Sequence, residues 1–284
     1  MGELELCWQQ FGRDEDPPLL MIMGLGAQMI LWPDELCELI AADGFRVIRF
    51  DNRDAGRSTI LADAPTGTVP RALAGDIPIG AYSLSDMASD AAGLMDVLGI
   101  EAAHVVGSSL GGMVAQTLAL EHPERVLSVA SIMSTTGNPE VGGATQAGIE
   151  ALTTVPPQDR DGYVDVLVEA RRKIGSPGFP FDEERSRRIA GLGFDRGYHP
   201  KGTVRQTIAI VHSGDRTARL GEIGVPTVVM HGEDDPLIGV SGGRATAAAI
   251  PGAKLVTIPG MGHDLPAGVW EQVAGEVTRN ARAA

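Results

Sequence analysis

The sequence predicts an α/β fold, with a mainly parallel central sheet flanked by helices and one inserted helical segment. Three observations support this. Short apolar runs recur at 19–23, 45–50, 103–106, 126–133, 226–231 and 254–258; segments of helical period separate them; and the stretch 137–222 breaks the alternation. The runs are apolar at successive positions, as suits strands covered on both faces. The segment 4–11 instead alternates Leu4, Leu6 and Trp8 with Glu3, Glu5 and Cys7, which predicts a strand near the sheet edge with one wet face.

Helix signals lie between the strands. Ser83 and Asp86 offer a capping box, after which Met87, Ala91, Leu94, Met95 and Leu98 repeat at helical spacing until Gly99. A second helix is expected from Ser109 to the break imposed by Pro123, and Val269, Val273 and Val277 mark the last. The stretch 137–222 contains Gly, Pro-Pro and Gly-Phe-Pro punctuation, with helices expected near 159–173, 182–192 and 203–212. It is too long for a plain loop in a compact domain. The expectation is a core of 1–136 and 223–284, with 137–222 as a helical lid.

Composition narrows the function classes. The 284 residues carry 37 acidic and 23 basic side chains, a net charge of −14, which disfavours nucleic acid and anionic lipid surfaces as partners. Residues 137–222 hold 12 of each sign, so the acidity belongs to the rest of the chain. Cys7 and Cys37 show no metal-binding spacing and read as small core residues. The N-terminal residues carry acid where a signal peptide carries base, Leu6 does not fit a myristoylation pattern, and no run has the length of a membrane span. A soluble, cytoplasmic protein is expected.

Chemistry concentrates at three loops. Gly107-Ser108-Ser109-Leu110-Gly111-Gly112 places Gly-x-Ser-x-Gly between a strand and a helix, where flanking glycines permit a tight turn that presents the Ser109 hydroxyl at the helix N-terminus. Serine needs a base, usually a histidine oriented by a carboxylate. Two later strands lead into His231-Gly232-Glu233-Asp234-Asp235-Pro236 and Pro259-Gly260-Met261-Gly262-His263-Asp264, loops at the end of the sheet where parallel folds place their sites.

With these motifs, together with Met23-Gly24-Leu25-Gly26 and the run from Phe50-Asp51-Asn52-Arg53-Asp54 to Thr59, the chain resembles the α/β-hydrolases, and among them the aclacinomycin methylesterase-like esterases. The resemblance covers nearly the whole chain except the lid. It implies an α/β-hydrolase fold and a serine carboxylic-ester hydrolase working through an acyl-enzyme, either a methylesterase on a bulky polyketide-like ester or a generic short-chain esterase. Ser109 is the implied nucleophile, His263 the base and Asp235, in preference to Asp234, the orienting acid. The backbone N–H groups of Leu25 and Leu110 are the implied oxyanion hole. A small-molecule ester is the implied partner, with no metal or organic cofactor. Met23 stands where many relatives have His, which removes a side chain from the oxyanion loop but not its amide. Asp54 replaces a glycine common in other hydrolases, as is usual in the methylesterase-like branch.

Other residues have plainer expected roles. His104 and His122 read as structural, His199 and His212 as surface lid residues, and His231 as a strand residue ill placed to swing between serine and leaving group. Asp51 and Arg53 suit a structural charge pair or turn network beneath the site. Phe179, Phe181, Phe194 and Tyr198 fit a substrate pocket or lid packing equally well. The same triad would also serve a lactonase or a cofactor-free perhydrolase, and a non-catalytic ligand-binding relative is the reading from a different class. Serine rather than aspartate at position 109 disfavours a haloalkane dehalogenase.

Overall fold

The computed structural model describes residues 4–76 and 80–284. Residues 1–3, part of the N-terminal targeting reading, lie outside the described set. Seven strands form one sheet: β1 Trp8–Phe11, β2 Pro18–Ile22, β3 Arg46–Phe50, β4 Ala103–Ser108, β5 Val126–Ile132, β6 Thr227–Gly232 and β7 Lys254–Ile258. Their spatial order is β1-β3-β2-β4-β5-β6-β7, and only the edge strand β1 runs antiparallel to its neighbour. Every apolar run predicted as a strand is one, within a residue or two at each end.

Alternation along the central strands feeds two cores. Leu19 and Met21 of β2 point into one apolar cluster with Val47, Cys37 and Val273, whereas Leu20 and Ile22 join Ile48, Met87 and Val114 on the opposite face. Helices α1 (Asp34–Ala42) and α10 (Trp270–Ala281) cover the first face, and α3 (Leu84–Val97) and α4 (Leu110–Glu121) the second. The capping box of α3 forms in both directions: Asp86 N–H donates to Ser83 Oγ, and Ser83 N–H to the Asp86 carboxylate.

The N-terminal strand is shorter than expected. Residues 4–7 run outside the ladder and bond instead to the turn after β3, with Cys7 N–H donating to Ser58 Oγ and Thr59 N–H to the Glu5 carbonyl. Trp8, expected on the inward face, is 41% exposed. Cys7 is likewise not a core residue: it is half-buried, with the Arg196 guanidinium against its sulfur, while Cys37 is fully buried.

Between β5 and β6 the chain forms α5 (Gln146–Thr153), α6 (Arg160–Ile174), α7 (Glu183–Arg196) and α8 (Pro200–Ser213). Three of these match expected helices. The sequence reading missed α5, which is short and carries Gly148 in its first turn, a weak helix former. That glycine has a packing reason: a Cβ there would overlap the Pro236 carbonyl, in the loop that carries Asp235. The last helix before β7, α9, spans Val240–Ala249, and the short α2 spans Val69–Leu73 ahead of α3. No helix among the described residues is long and apolar enough to cross a membrane.

Candidate active site

Ser109 occupies the turn between β4 and α4 with φ 55° and ψ −120°, a left-handed conformation that costs free energy for a residue with a Cβ. Close packing enforces it. A Cβ on Gly107 would overlap the Gly111 backbone, one on Gly111 would overlap the Ile22 carbonyl, and one on Gly112 would lie 2.6 Å from Ser134 Cβ. The turn is also tied down by Ser109 N–H donating to the Ile132 carbonyl at 2.9 Å and Ser134 Oγ donating to the Ser109 carbonyl at 2.8 Å. Ser108, by contrast, is the last residue of β4 and is buried.

The three residues expected to work together are brought together. Ser109 Oγ lies 3.1 Å from His263 Nε2, and His263 Nδ1 lies 2.7 Å from Asp235 Oδ2, so the Nδ1–H tautomer would donate to the carboxylate and leave Nε2 to accept the serine proton. Asp234 instead accepts from Gly260 N–H. Asp235 is buried, which raises its pKa, but bonds with His231 and His263 and the Ile238 N–H outweigh burial and hold the carboxyl well below the usual carboxylate range. Its other oxygen accepts the N–H groups of Leu237 and Ile238 at 2.8 and 2.9 Å.

His231 reaches this site from below rather than taking part at the serine. Its Nε2–H donates to the Ile238 carbonyl at 2.7 Å and lies 3.5 Å from Asp235 Oδ2, which fixes the turn that presents the acid. The histidine loop is held from the segment between β5 and β6: His263 N–H donates to the Ile174 carbonyl, Gly262 N–H to Ser176 Oγ, and Ser176 Oγ–H to Asp264. Asp264 is half-buried, and desolvation pushes its pKa up against the effect of the Ser176 bond. Neither Ser176 nor Asp264 was singled out from sequence; Asp264 at least directly follows His263, whereas Ser176 lies 88 residues from its partner.

The loop after β2 passes directly over Ser109, since a Cβ on Gly24 would sit 3.2 Å from Ser109 Cβ and 3.7 Å from its Oγ. Among the described residues neither Leu25 nor Leu110 spends its N–H on a hydrogen bond. For Leu110 the cause is general, because the first amides of a helix have no intrahelical acceptor and carry the positive end of its dipole.

The remaining candidates have structural partners. His104 is buried in β4, bonded to Ser128 Oγ and edge-on to Phe45, and burial lowers its pKa. His122 ends α4, His199 contacts the Gly56 carbonyl at the start of α8 and is half-buried, and His212 is exposed. Asp51 and Arg53 belong to structural networks rather than pairing with each other: Asp51 pairs with Arg196 of α7 and accepts from Met29 and Arg57 N–H in the turns around it, while Arg53 pairs with Asp90. The aromatic group also divides. Phe194 and Tyr198 pack around Tyr163, Phe181 lies under Arg172, and Phe179 joins the core face beside Gly268.

A sheet of this order, a strained serine turn after β4 and a Ser–His–Asp chain at its C-terminal end define the α/β-hydrolase class. Residues 17–175 match the alpha/beta hydrolase fold family, so the chain belongs to that family and is an enzyme of the hydrolase type. Rhodomycin D methylesterase DnrP of Streptomyces peucetius is 31% identical over 99% of this chain and 96% of its own length, which places the chain with the aclacinomycin methylesterase-like branch. RutD of Variovorax paradoxus strain S110, assigned as a carbamate hydrolase, is 28% identical over 92% of this chain and 90% of its own. A solved hydrolase from Pseudomonas aeruginosa PA01 superposes with a TM-score of 0.71 at 25% identity, covering 98% of this chain and 94% of that one.

Proposed function

We propose that the chain is a serine carboxylic-ester hydrolase acting through an acyl-enzyme, with a methyl ester of a bulky acid as its substrate class. The observation that carries the mechanism is the hydrogen-bonded chain Ser109–His263–Asp235 seated on a strained turn. The substrate class follows from similarity to the methylesterase relatives.

Ser109 Oγ attacks the ester carbonyl as His263 Nε2 takes its proton, and Asp235 stabilises the imidazolium. The oxyanion of the tetrahedral intermediate accepts from the Leu25 and Leu110 N–H groups. Collapse breaks the carbon–oxygen bond, and His263 returns the proton to the departing alkoxide, which leaves as the alcohol. Water then attacks the acyl-enzyme with His263 as base, releasing the acid and restoring Ser109. In this reading residues 137–222 form the cap over a core of 1–136 and 223–284, and no cofactor takes part.

Replacing Ser109 by Ala tests the assignment. Turnover of a chromogenic short-chain ester should fall at least about 10³-fold with the fold intact, and a fluorophosphonate should label the wild-type chain at position 109 only. Near-wild-type turnover by the alanine variant would reject the mechanism. A panel of methyl esters, carbamates and lactones then ranks the substrate class.

A further inference from the structure

The oxyanion loop is short and glycine-rich, and it must hold one amide still to within a fraction of an ångström of a developing charge. Its own sequence, Met23-Gly24-Leu25-Gly26, has no side chain that could do this. The loop is pinned on both sides of Leu25 by side chains from elsewhere. On one side Asn52 Nδ2 donates to the Met23 carbonyl at 2.9 Å; on the other the Gly26 N–H donates to Gln206 Oε1 at 2.7 Å.

Gln206 stands on α8, 180 residues along the chain from Gly26, and is wholly buried. Both ends of its amide are used, because Nε2 donates to the Arg53 carbonyl at 2.8 Å. Thr203, one turn earlier on the same helix, sits so close to the loop that a Cβ on Gly26 would lie 2.5 Å from its Oγ1, and Gly26 is itself left-handed at φ +63°. The helix is anchored in turn: Arg205 forms two hydrogen bonds to the Asp54 carboxylate, at 2.6 and 2.7 Å, with neither side chain exposed.

We infer that Gln206 is a positioning residue for ester hydrolysis: through the Gly26 amide it fixes the loop that aims the Leu25 N–H at the oxyanion, so that α8 sets the geometry of the oxyanion hole. The inference rests on the proposed mechanism above. It assigns to the insertion a part in the chemistry distinct from covering the substrate. A buried amide bonded at both ends loses both bonds when replaced by a thioether of similar volume, which leaves the Gly26 N–H unpaired and the loop free to shift. A displacement of about 1 Å at such a site costs on the order of 10²-fold in rate.

The experiment compares wild type with Gln206→Met, with rates normalised to the sites titrated by a fluorophosphonate. The expected result is a kcat lower by on the order of 10²-fold with KM within about threefold, and binding of a tetrahedral boronic acid adduct weakened by a similar factor. A purely structural glutamine would lower the melting temperature and leave kcat and boronate affinity per titrated site at wild-type values; that result overturns the inference. Should Gln206→Met not fold, Gly26→Ala takes its place. This substitution strains the left-handed Gly26 backbone and pushes the loop from Thr203, and should lower kcat with KM within about threefold. An unchanged kcat in Gly26→Ala overturns it too. A wild-type chain that takes no fluorophosphonate at Ser109 rejects the underlying mechanism and the inference together, whereas labelling at Ser109 with unaffected variants rejects the inference alone.

Discussion

Backbone strain among the described non-glycine residues is confined to three positions, Asp54, Ser109 and Met133, all with positive φ. Each follows the C-terminal end of a strand, β3, β4 and β5 respectively, so the strain gathers at the edge of the sheet where the site lies. Asp235 makes its contribution at the same edge through charge and orientation. Its carboxylate accepts from two backbone amides and from His263, and this fixes the imidazole with Nε2 toward Ser109. Asp235→Asn keeps the shape but offers an amide where the imidazole needs an acceptor. It should lower kcat by on the order of 10³- to 10⁴-fold with a small effect on KM. Steady-state kinetics with one ester checks this, and a loss below about tenfold would mean that the carboxylate is not the orienting acid.

At the scale of elements, α8 is the piece whose importance exceeds its apparent role. Its sequence reads as one more amphipathic helix of the insertion, yet Gly202, Thr203, Arg205 and Gln206 all abut the loops after β2 and β3. The Asp54–Arg205 pair holds it, with Tyr82 Oη donating to the same carboxylate at 2.8 Å. Buried pairs contribute little beyond an apolar replacement, but breaking one strands a charge. Arg205→Met should therefore cost about 3–5 kcal/mol in urea unfolding, and Asp54→Gly added to it should return part of the loss, since the position is left-handed. No recovery in the double variant would show that the pair is not what holds α8. The strands, α3, α4 and α10 were legible because period and capping are local properties. The helix α5 was not, because the reason for Gly148 is the Pro236 carbonyl, invisible until the chain folds.

For the whole molecule, His104, Asp54 and Asp235 make stability rise with pH, while Asp90 and Asp264, whose pKa values burial raises, oppose them at the carboxylate end of the range. Burial lowers the pKa of His104; Asp54 is raised by burial but held lower on balance by Arg205, the Leu61 N–H and Tyr82; and Asp235 is held down despite burial by His231 and His263. In these three the unfolded chain takes up the proton at a higher pH than the native one does, so each makes stability rise with pH across its interval. On acidification the first loss begins below about 6.5, where an unfolded histidine protonates, and the second below about 4, where unfolded aspartates do. Urea midpoints measured from pH 7 to pH 5 in about 0.2 M salt, which screens repulsion within the net charge of −14, should fall as unfolded His104 takes up its proton. His104→Gln should flatten the upper part of the curve. A midpoint independent of pH, or one that rises on acidification, would contradict the assignment.

The sequence by itself determined the order of the strands, the helices α3, α4, α6, α7, α8 and α10, the turn that strains Ser109, and the two loops that supply His263 and Asp235, because hydrophobic period, glycine spacing and the polarity of a βα unit are written within a few residues of where they act. Tertiary structure decided the rest. That His231 braces the acid, that Asp51 pairs with Arg196 and Arg53 with Asp90, and that Ser176 and Gln206 hold the loops of the site are facts of through-space contact between residues far apart in the chain. Such contacts leave no local pattern: a buried glutamine on a helix looks like any other polar position until the amide it holds is known.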